Sequence, residues 1–290
     1  MRRRLILALV ILLSACRQSP HPLIDQPRLA PGTRMQDVVF HSIALDRDMP
    51  YRVILPAQIS PGHRLPVVYL LHGFGDSWKS WSNQSDVAQY AARGLILVMI
   101  EGGISYYMNS ATSKNDRYED YFLHDLVPDV ERRFPAISSR SGRAIIGISM
   151  GGFAVLKFAL SNPDQFAVAA ALSPPVDILH RPFRLQRWGE WWRIRGIFGP
   201  RNSATCASRD PLALVHSVPP ETAPFIYLGA GKGEPLLGPI RQFSQTLNRL
   251  DLPHELHENP GAHEWSQWNR QIPEVFDVLF QHGIGIPVAN

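Results

Sequence analysis

The stretches "LPVVYLLHG" (65–73) and "GLILVMIEG" (94–102) carry apolar residues almost without interruption, and each stops at glycine. A strand with one wet face alternates apolar and polar residues. Runs without alternation fit strands buried on both faces, as in a parallel sheet covered by helices on each side. "RAIIGIS", "FAVAAALSPP" and "APFIYLGAG" continue the series, and "HELHENPG" ends it. Between these runs lie segments with helical punctuation or period: 81–94, stopped by Gly94; 117–135, which Pro128 is expected to bend or restart; 150–163; "IRQFSQTLNRLDLP"; and the closing "HEWSQWNRQIPEVFDVLFQHG". The alternation predicts an α/β fold, a mostly parallel central sheet with helices on both faces. "MQDVVFHSIAL" (35–45) and "PYRVILP" (50–56) are short, β-branched and roughly alternating, and are read as antiparallel strands at one edge.

In such a sheet the working residues gather at the carboxyl ends of the strands. Gly147-x-Ser149-x-Gly151 falls there, between a predicted strand and a predicted helix. On a tight turn of this kind a serine is held above the sheet with its hydroxyl exposed, and the next backbone N–H, that of Met150, faces a reacting carbonyl. A serine hydroxyl is a weak nucleophile at neutral pH and needs a base within hydrogen-bond reach. With the chain order nucleophile, acid, histidine, the base is sought after the last strand, where "NPGAHEWSQW" offers His263. His257 lies inside that strand and reads as a structural or surface residue. Its "HELHE" lacks the second histidine of a zinc-binding H-E-x-x-H, so neither metal nor cofactor is called for. The acid is expected after "APFIYLG", where the loop offers Glu234; Asp177, after the preceding strand, is the alternative. A second oxyanion donor is expected in "HGFGD", from the Phe74 N–H, with His72 shaping that turn.

Taken together, "YLLHGFGDSWKSW", "YYMNS", "RYEDYFLHDLVPDVERRF", "GISMGGFAVLKFAL", "LSP", "GAGKGEPLL" with "QFSQTL", and "ENPGAHEWSQW" resemble the esterase D / antigen 85 family of α/β-hydrolases. The family includes feruloyl and acetylxylan esterases, S-formylglutathione hydrolase and mycolyltransferases. The resemblance spans about residues 36–282. It implies acyl-ester chemistry with Ser149, Glu234 and His263 as the triad and Phe74 and Met150 as backbone donors. The family usually has aspartate where this chain has Glu234, and its members differ widely in acyl and leaving groups. A serine esterase acting on a small-molecule or carbohydrate ester, of acyl-sugar or feruloyl type, is therefore expected. An acyltransferase on the same triad and a non-catalytic surface-binding lipoprotein are the alternatives.

The first residues bear on location. Arg2, Arg3 and Arg4 precede an apolar stretch, Leu5 to Leu13, which has signal-peptide length and is too short to span a bilayer. Leu13-Ser14-Ala15-Cys16 resembles a bacterial lipobox, so residues 1–15 are read as a signal peptide and Cys16 as the lipidated terminus of an envelope lipoprotein. Ordinary cleavage after Ala15 is the other reading. Residues 16–34, rich in proline and polar groups, are expected to form a flexible tether, with one catalytic domain over 35–290. The three arginines leave with the signal, which takes the net charge from +4 to +1 and removes any case for a nucleic-acid partner. Of the 2 cysteines, Cys206 is then left unpaired, as a free, partly buried thiol.

One stretch has no place in this scheme. "HRPFRLQRWGEWWRIRGIFGPR" (180–201) sets Trp188, Trp191 and Trp192 among six arginines, within a cap insertion expected around 178–210. The tryptophans are candidate substrate contacts in a cap; a helix packed on the domain body and a lid resting on a membrane interface are the other readings.

Overall fold

The fold is that of a computed structural model, which describes residues 24–285. Eight strands form one sheet: β1 (Thr33–Ser42), β2 (Arg47–Pro56), β3 (Val67–Leu71), β4 (Ile96–Ile100), β5 (Arg143–Ile148), β6 (Val168–Leu172), β7 (Phe225–Gly231) and β8 (His254–Asn259). Their order is β1-β2-β4-β3-β5-β6-β7-β8. β1 and β2 pair antiparallel at one edge, and β3 to β8 run parallel. The sheet therefore has the predicted α/β-hydrolase layout.

Helices α1 (Ser80–Gln84) and α2 (Ala88–Ala91) follow β3. After β4 come α3 (Tyr118–Asp120), a π-helical stretch (Tyr121–Leu126) and α4 (Val127–Arg133). α5 (Met150–Ser161) follows β5, and α6 (Trp188–Phe198), α7 (Ala204–Ala207) and α8 (Pro211–Leu214) lie between β6 and β7. α9 (Leu237–Arg249) joins β7 to β8, and α10 (Trp265–Gln281) follows β8. Strand side chains alternate between two cores. Val67, Tyr69 and Leu71 of β3 face the layer holding α4, α5 and α9. Val68 and Leu70 face the layer holding α2 and α10, where Tyr90 stacks on Phe276 at 3.8 Å. Both faces are dry, which explains the unbroken apolar runs.

Two predicted helices take a different form. Residues 81–94 divide into α1 and α2 where Ser85 turns extended, its hydroxyl and its N–H both donating to the Trp81 carbonyl, at 2.6 and 3.1 Å. Along 117–135, Pro128 lacks the N–H for the preceding turn. The helix widens into the π-helical stretch before it and restarts as α4 with Pro128 in its first turn.

Part of the segment expected to be a tether is packed structure. The expected signal peptide, Cys16 and the residues up to 23 lie outside the described residues, but from residue 24 the chain is held to the body. Asp25 and Asp37 grip the fully buried guanidinium of Arg52 at 2.7–2.9 Å, Lys79 pairs with Asp25 at 2.9 Å, and the Arg28 N–H reaches the Ser82 carbonyl at 2.8 Å. The Arg52 hydrogen bond holds the Asp25 carboxyl well below its ordinary pKa. A buried arginine left without these carboxylates is costly, and composition alone does not reveal that Asp25 is its partner.

Candidate active site

The nucleophile turn is fixed by backbone contacts. Ser149 adopts φ 52°, ψ −114°, a conformation side chains rarely take, and its N–H bonds the Leu172 carbonyl of β6 at 2.8 Å. Its own carbonyl accepts the Phe153 N–H at 3.0 Å, which starts α5. A Cβ on Gly147 would sit 2.3 Å from the Gly151 carbonyl oxygen, and one on Gly151 would sit 2.5 Å from that of Leu71. Glycine is required at both positions by close approach. α5 is buried along nearly its whole length, so the strained serine rests on a rigid element.

His263 occupies the loop between β8 and α10. Its Nε2 lies 2.8 Å from the Ser149 Oγ, and its Nδ1 lies 2.9 Å from the Glu234 Oε2. A carboxylate only accepts, so the proton sits on Nδ1 and Nε2 is free to accept from the serine hydroxyl. The other Glu234 oxygen accepts the Gly231 N–H at 2.7 Å. This bond curls the side chain back over its own turn and takes up the extra methylene relative to aspartate. The loops bearing acid and base are also laced together, by Lys232 N–H to the Asn259 carbonyl and Gly233 N–H to the Gly261 carbonyl, both 2.8 Å. The Trp268 ring stands edge-on to His263 at 5.2 Å, and its Nε1 donates to the Ser173 hydroxyl at 3.0 Å.

Asp177 is not positioned as the acid. It forms a two-pronged pair with Arg181, at 2.7–3.1 Å, while Glu234 holds the Nδ1 of His263. His257 lies apart from the site, bonded to Glu255 and Glu274 and stacked on Tyr227, which fits its structural reading.

Met150 and the loop that carries Phe74, the two expected oxyanion donors, both lie beside the serine. Met150 is the first residue of α5, where N–H groups have no partner within the helix and the helix dipole is positive. The loop after β3 passes beside the serine: a Cβ on Gly73 would lie 3.5 Å from the Ser149 Cβ, and Phe74 follows it. His72 is fully buried and fixes that loop, with Nδ1 donating to the Gly73 carbonyl at 2.8 Å and Nε2 accepting the Gly102 N–H at 3.0 Å. Burial raises the pKa of Asp76 in the same loop.

Sequence reasoning passed over the residues that brace this loop. Glu101 accepts the Gly103 N–H at 2.6 Å and the Trp78 N–H at 3.4 Å, and the Tyr107 hydroxyl donates to the His72 carbonyl at 3.2 Å. A carboxylate at the carboxyl end of β4, ahead of two glycines, was the available signal.

The insertion packs through α6 against the loops that leave the carboxyl ends of β3 and β4 and against α5. Arg193 of α6 lays its guanidinium on the Phe74 ring, 4.4 Å from the centroid, and the Gly196 carbonyl accepts from the Ser110 and Thr112 hydroxyls, both at 3.1 Å. Tyr106, Phe153 and Phe198 form an edge-on cluster that ties α6 to α5. Beneath α6 lies a cavity of about 670 Å³, lined in part by Ile178, Leu179, Trp191, Phe198, Cys206 and Leu236. None of Ser149, Glu234 and His263 lines it; Pro235 and Leu236, next along the chain from Glu234, do. Trp191 is the only one of the three candidate tryptophans on its wall. Trp188 and Trp192, four residues apart on one face of α6, are each 60% exposed, and the Trp192 ring stands edge-on to Trp191 at 5.0 Å. Cys206 is free and buried, and burial pushes its thiol pKa up.

Comparison with known proteins places the fold and the activity. The Esterase family model matches residues 42–277. An acetyl esterase of Caldicellulosiruptor saccharolyticus is 24% identical over 220 residues, covering 73% of this chain and 82% of that protein. An esterase of Mycobacterium tuberculosis is 28% identical over 253 residues, covering 77% of this chain, which spans only 54% of its length. Among solved structures, a fluorophosphonate-binding serine hydrolase of Staphylococcus aureus superposes with a TM-score of 0.75 at 25% identity, covering 85% of this chain and 98% of that one. With the family model spanning most of its length, the chain belongs to the Esterase family, carboxylic ester hydrolases built on the α/β-hydrolase fold.

Proposed function

We propose that Ser149, His263 and Glu234 are the catalytic triad of this esterase and that it works through an acyl-enzyme. The observation that carries the reading is the unbroken chain of contacts from Glu234 through His263 to the Ser149 Oγ, at 2.9 and 2.8 Å. As the Ser149 oxygen attacks the ester carbonyl, its proton passes to the His263 Nε2, and Glu234 stabilises the resulting imidazolium. Negative charge develops on the carbonyl oxygen, where the N–H groups of Met150 and Phe74 are the proposed donors. Collapse of the tetrahedral species expels the alcohol, which takes the proton from His263. Water, deprotonated by the same histidine, then releases the acid and restores the serine.

The cavity under α6 suits the part of the ester remote from the scissile bond, since it lies at the carboxyl end of the sheet beside the Glu234 turn. Its mixture of Trp191 and Phe198 with several arginines favours an aromatic or sugar-bearing ester over a bare aliphatic one. A product assay tests the reaction. With 4-nitrophenyl acetate and a sugar acceptor present together, free acetate is the expected product; exclusive appearance of acetylated sugar would assign the chain to acyl transfer.

The reading extends to location. Leu13-Ser14-Ala15-Cys16 supports export and acylation at Cys16, hence a membrane-anchored envelope lipoprotein. A Cys16→Ser chain is expected to leave the membrane fraction, and unchanged partition contradicts the anchor.

A further inference from the structure

Ten large apolar side chains are conspicuously exposed among the described residues, and six of them rim the catalytic end: Phe74, Ile104, Phe183, Leu185, Trp188 and Trp192. All six follow the carboxyl ends of β3, β4 or β6. Leu185 is 72% exposed, well beyond what a packed cap needs. Scattered single apolar residues on a surface need no explanation, but a group gathered at one end does.

The net charge around them is positive. Between 180 and 201 there are six arginines, and only Arg181 and Arg187 pair with carboxylates, Asp177 and Glu190. Arg184, Arg193, Arg195 and Arg201 have no carboxylate partner among the described residues. Tryptophan and leucine interleaved with unpaired arginine match the boundary between acyl chains and anionic headgroups.

The entry point of the chain gives a third, independent observation. Asp25 is bound to Lys79, which precedes α1 and follows the loop leaving the carboxyl end of β3. From there the chain runs to Thr33, which pairs with Pro56 at the opposite end of the sheet. Residue 24 thus joins the body on the same end as Ser149. Cys16 is eight residues upstream, a reach of at most roughly 28 Å.

We propose that the catalytic end of this esterase, with the α6 cap at its centre, docks on an anionic phospholipid surface, so that the serine works on esters held at or near the membrane. The docking deepens the proposed function, resting on the reading of Ser149 as the nucleophile, and does not depend on acylation of Cys16. The cap supplies the apolar and cationic contacts, and the N-terminal tether leads off from the face that meets the lipid.

The full chain carrying Cys16→Ser tests this without an acyl anchor. Vesicles of phosphatidylglycerol and phosphatidylcholine in equal parts, with brominated acyl chains, are expected to quench its tryptophan fluorescence, and pure phosphatidylcholine vesicles to do so much less. The quenching should fall in Trp188→Phe/Trp192→Phe. In Leu185→Glu/Trp188→Glu/Trp192→Glu, the rate on an ester embedded in the anionic vesicles, divided by the rate on a soluble ester, should drop about tenfold or more. No quenching assignable to Trp188 and Trp192, or an unchanged rate ratio, would overturn the docking. Loss of the nucleophile reading has a separate signature: neither ester is cleaved by the unsubstituted chain, while the quenching still reports the docking.

Discussion

The nucleophile turn and the cap sit a few contacts apart and are built on opposite terms. Ser149 is over-determined, since Gly147 and Gly151 touch backbone, the serine N–H is tied to β6, and α5 beneath it is buried almost throughout. The α6 cap is held mainly near its carboxyl-terminal end, by Ser110, Thr112 and Ala111 on the Gly196 carbonyl, Arg209 on the Ile197 carbonyl, Arg193 on Phe74, and one aromatic cluster. Much of the rest of its surface faces solvent. Strain at Ser149 persists because surrounding backbone leaves it no alternative. The cap carries no such strain, and its side chains are free to vary with what is bound. On the proposed function, the sheet fixes the chemistry and the insertion selects the substrate.

Two carboxylates, one from each region, turn this contrast into numbers. Glu234→Gln removes the acceptor for the His263 Nδ1 proton and favours the wrong tautomer. It is expected to lower kcat by roughly 10³- to 10⁴-fold with the fold intact. Asp177→Asn breaks only the partly exposed pair with Arg181. Its expected cost is less than about 1 kcal/mol in stability, read from thermal unfolding, and less than tenfold in kcat on a short soluble ester. A larger loss for Asp177→Asn than for Glu234→Gln would remove the distinction between site and cap.

The same contrast explains what the sequence disclosed. The parallel strands were legible because burial on both faces leaves an unbroken apolar run, and Ser149 because a G-x-S-x-G at a strand-to-helix junction has few other uses. Chain order singled out His263 and Glu234, which the fold brings into contact with Ser149 and with each other, and the curl of Glu234 onto the Gly231 N–H accommodates its extra methylene. Contacts between residues far apart in sequence were not legible. Arg52 gathers Asp25 and Asp37 across two segments, which turned part of an expected tether into packed structure. Glu101 and Tyr107 brace the His72 loop from the next strand over. In the cap, three tryptophans were grouped by composition, whereas helix geometry puts Trp188 and Trp192 on one exposed face and leaves only Trp191 on the cavity wall.

The most direct measurement is covalent trapping of the serine. A fluorophosphonate probe incubated with the folded protein, followed by peptide mass spectrometry, is predicted to place one adduct on Ser149 and to lose it in His263→Ala. Labelling that bypasses Ser149, or that is as fast in His263→Ala as in the unsubstituted protein, would contradict the assignment of Ser149 as a nucleophile activated by His263.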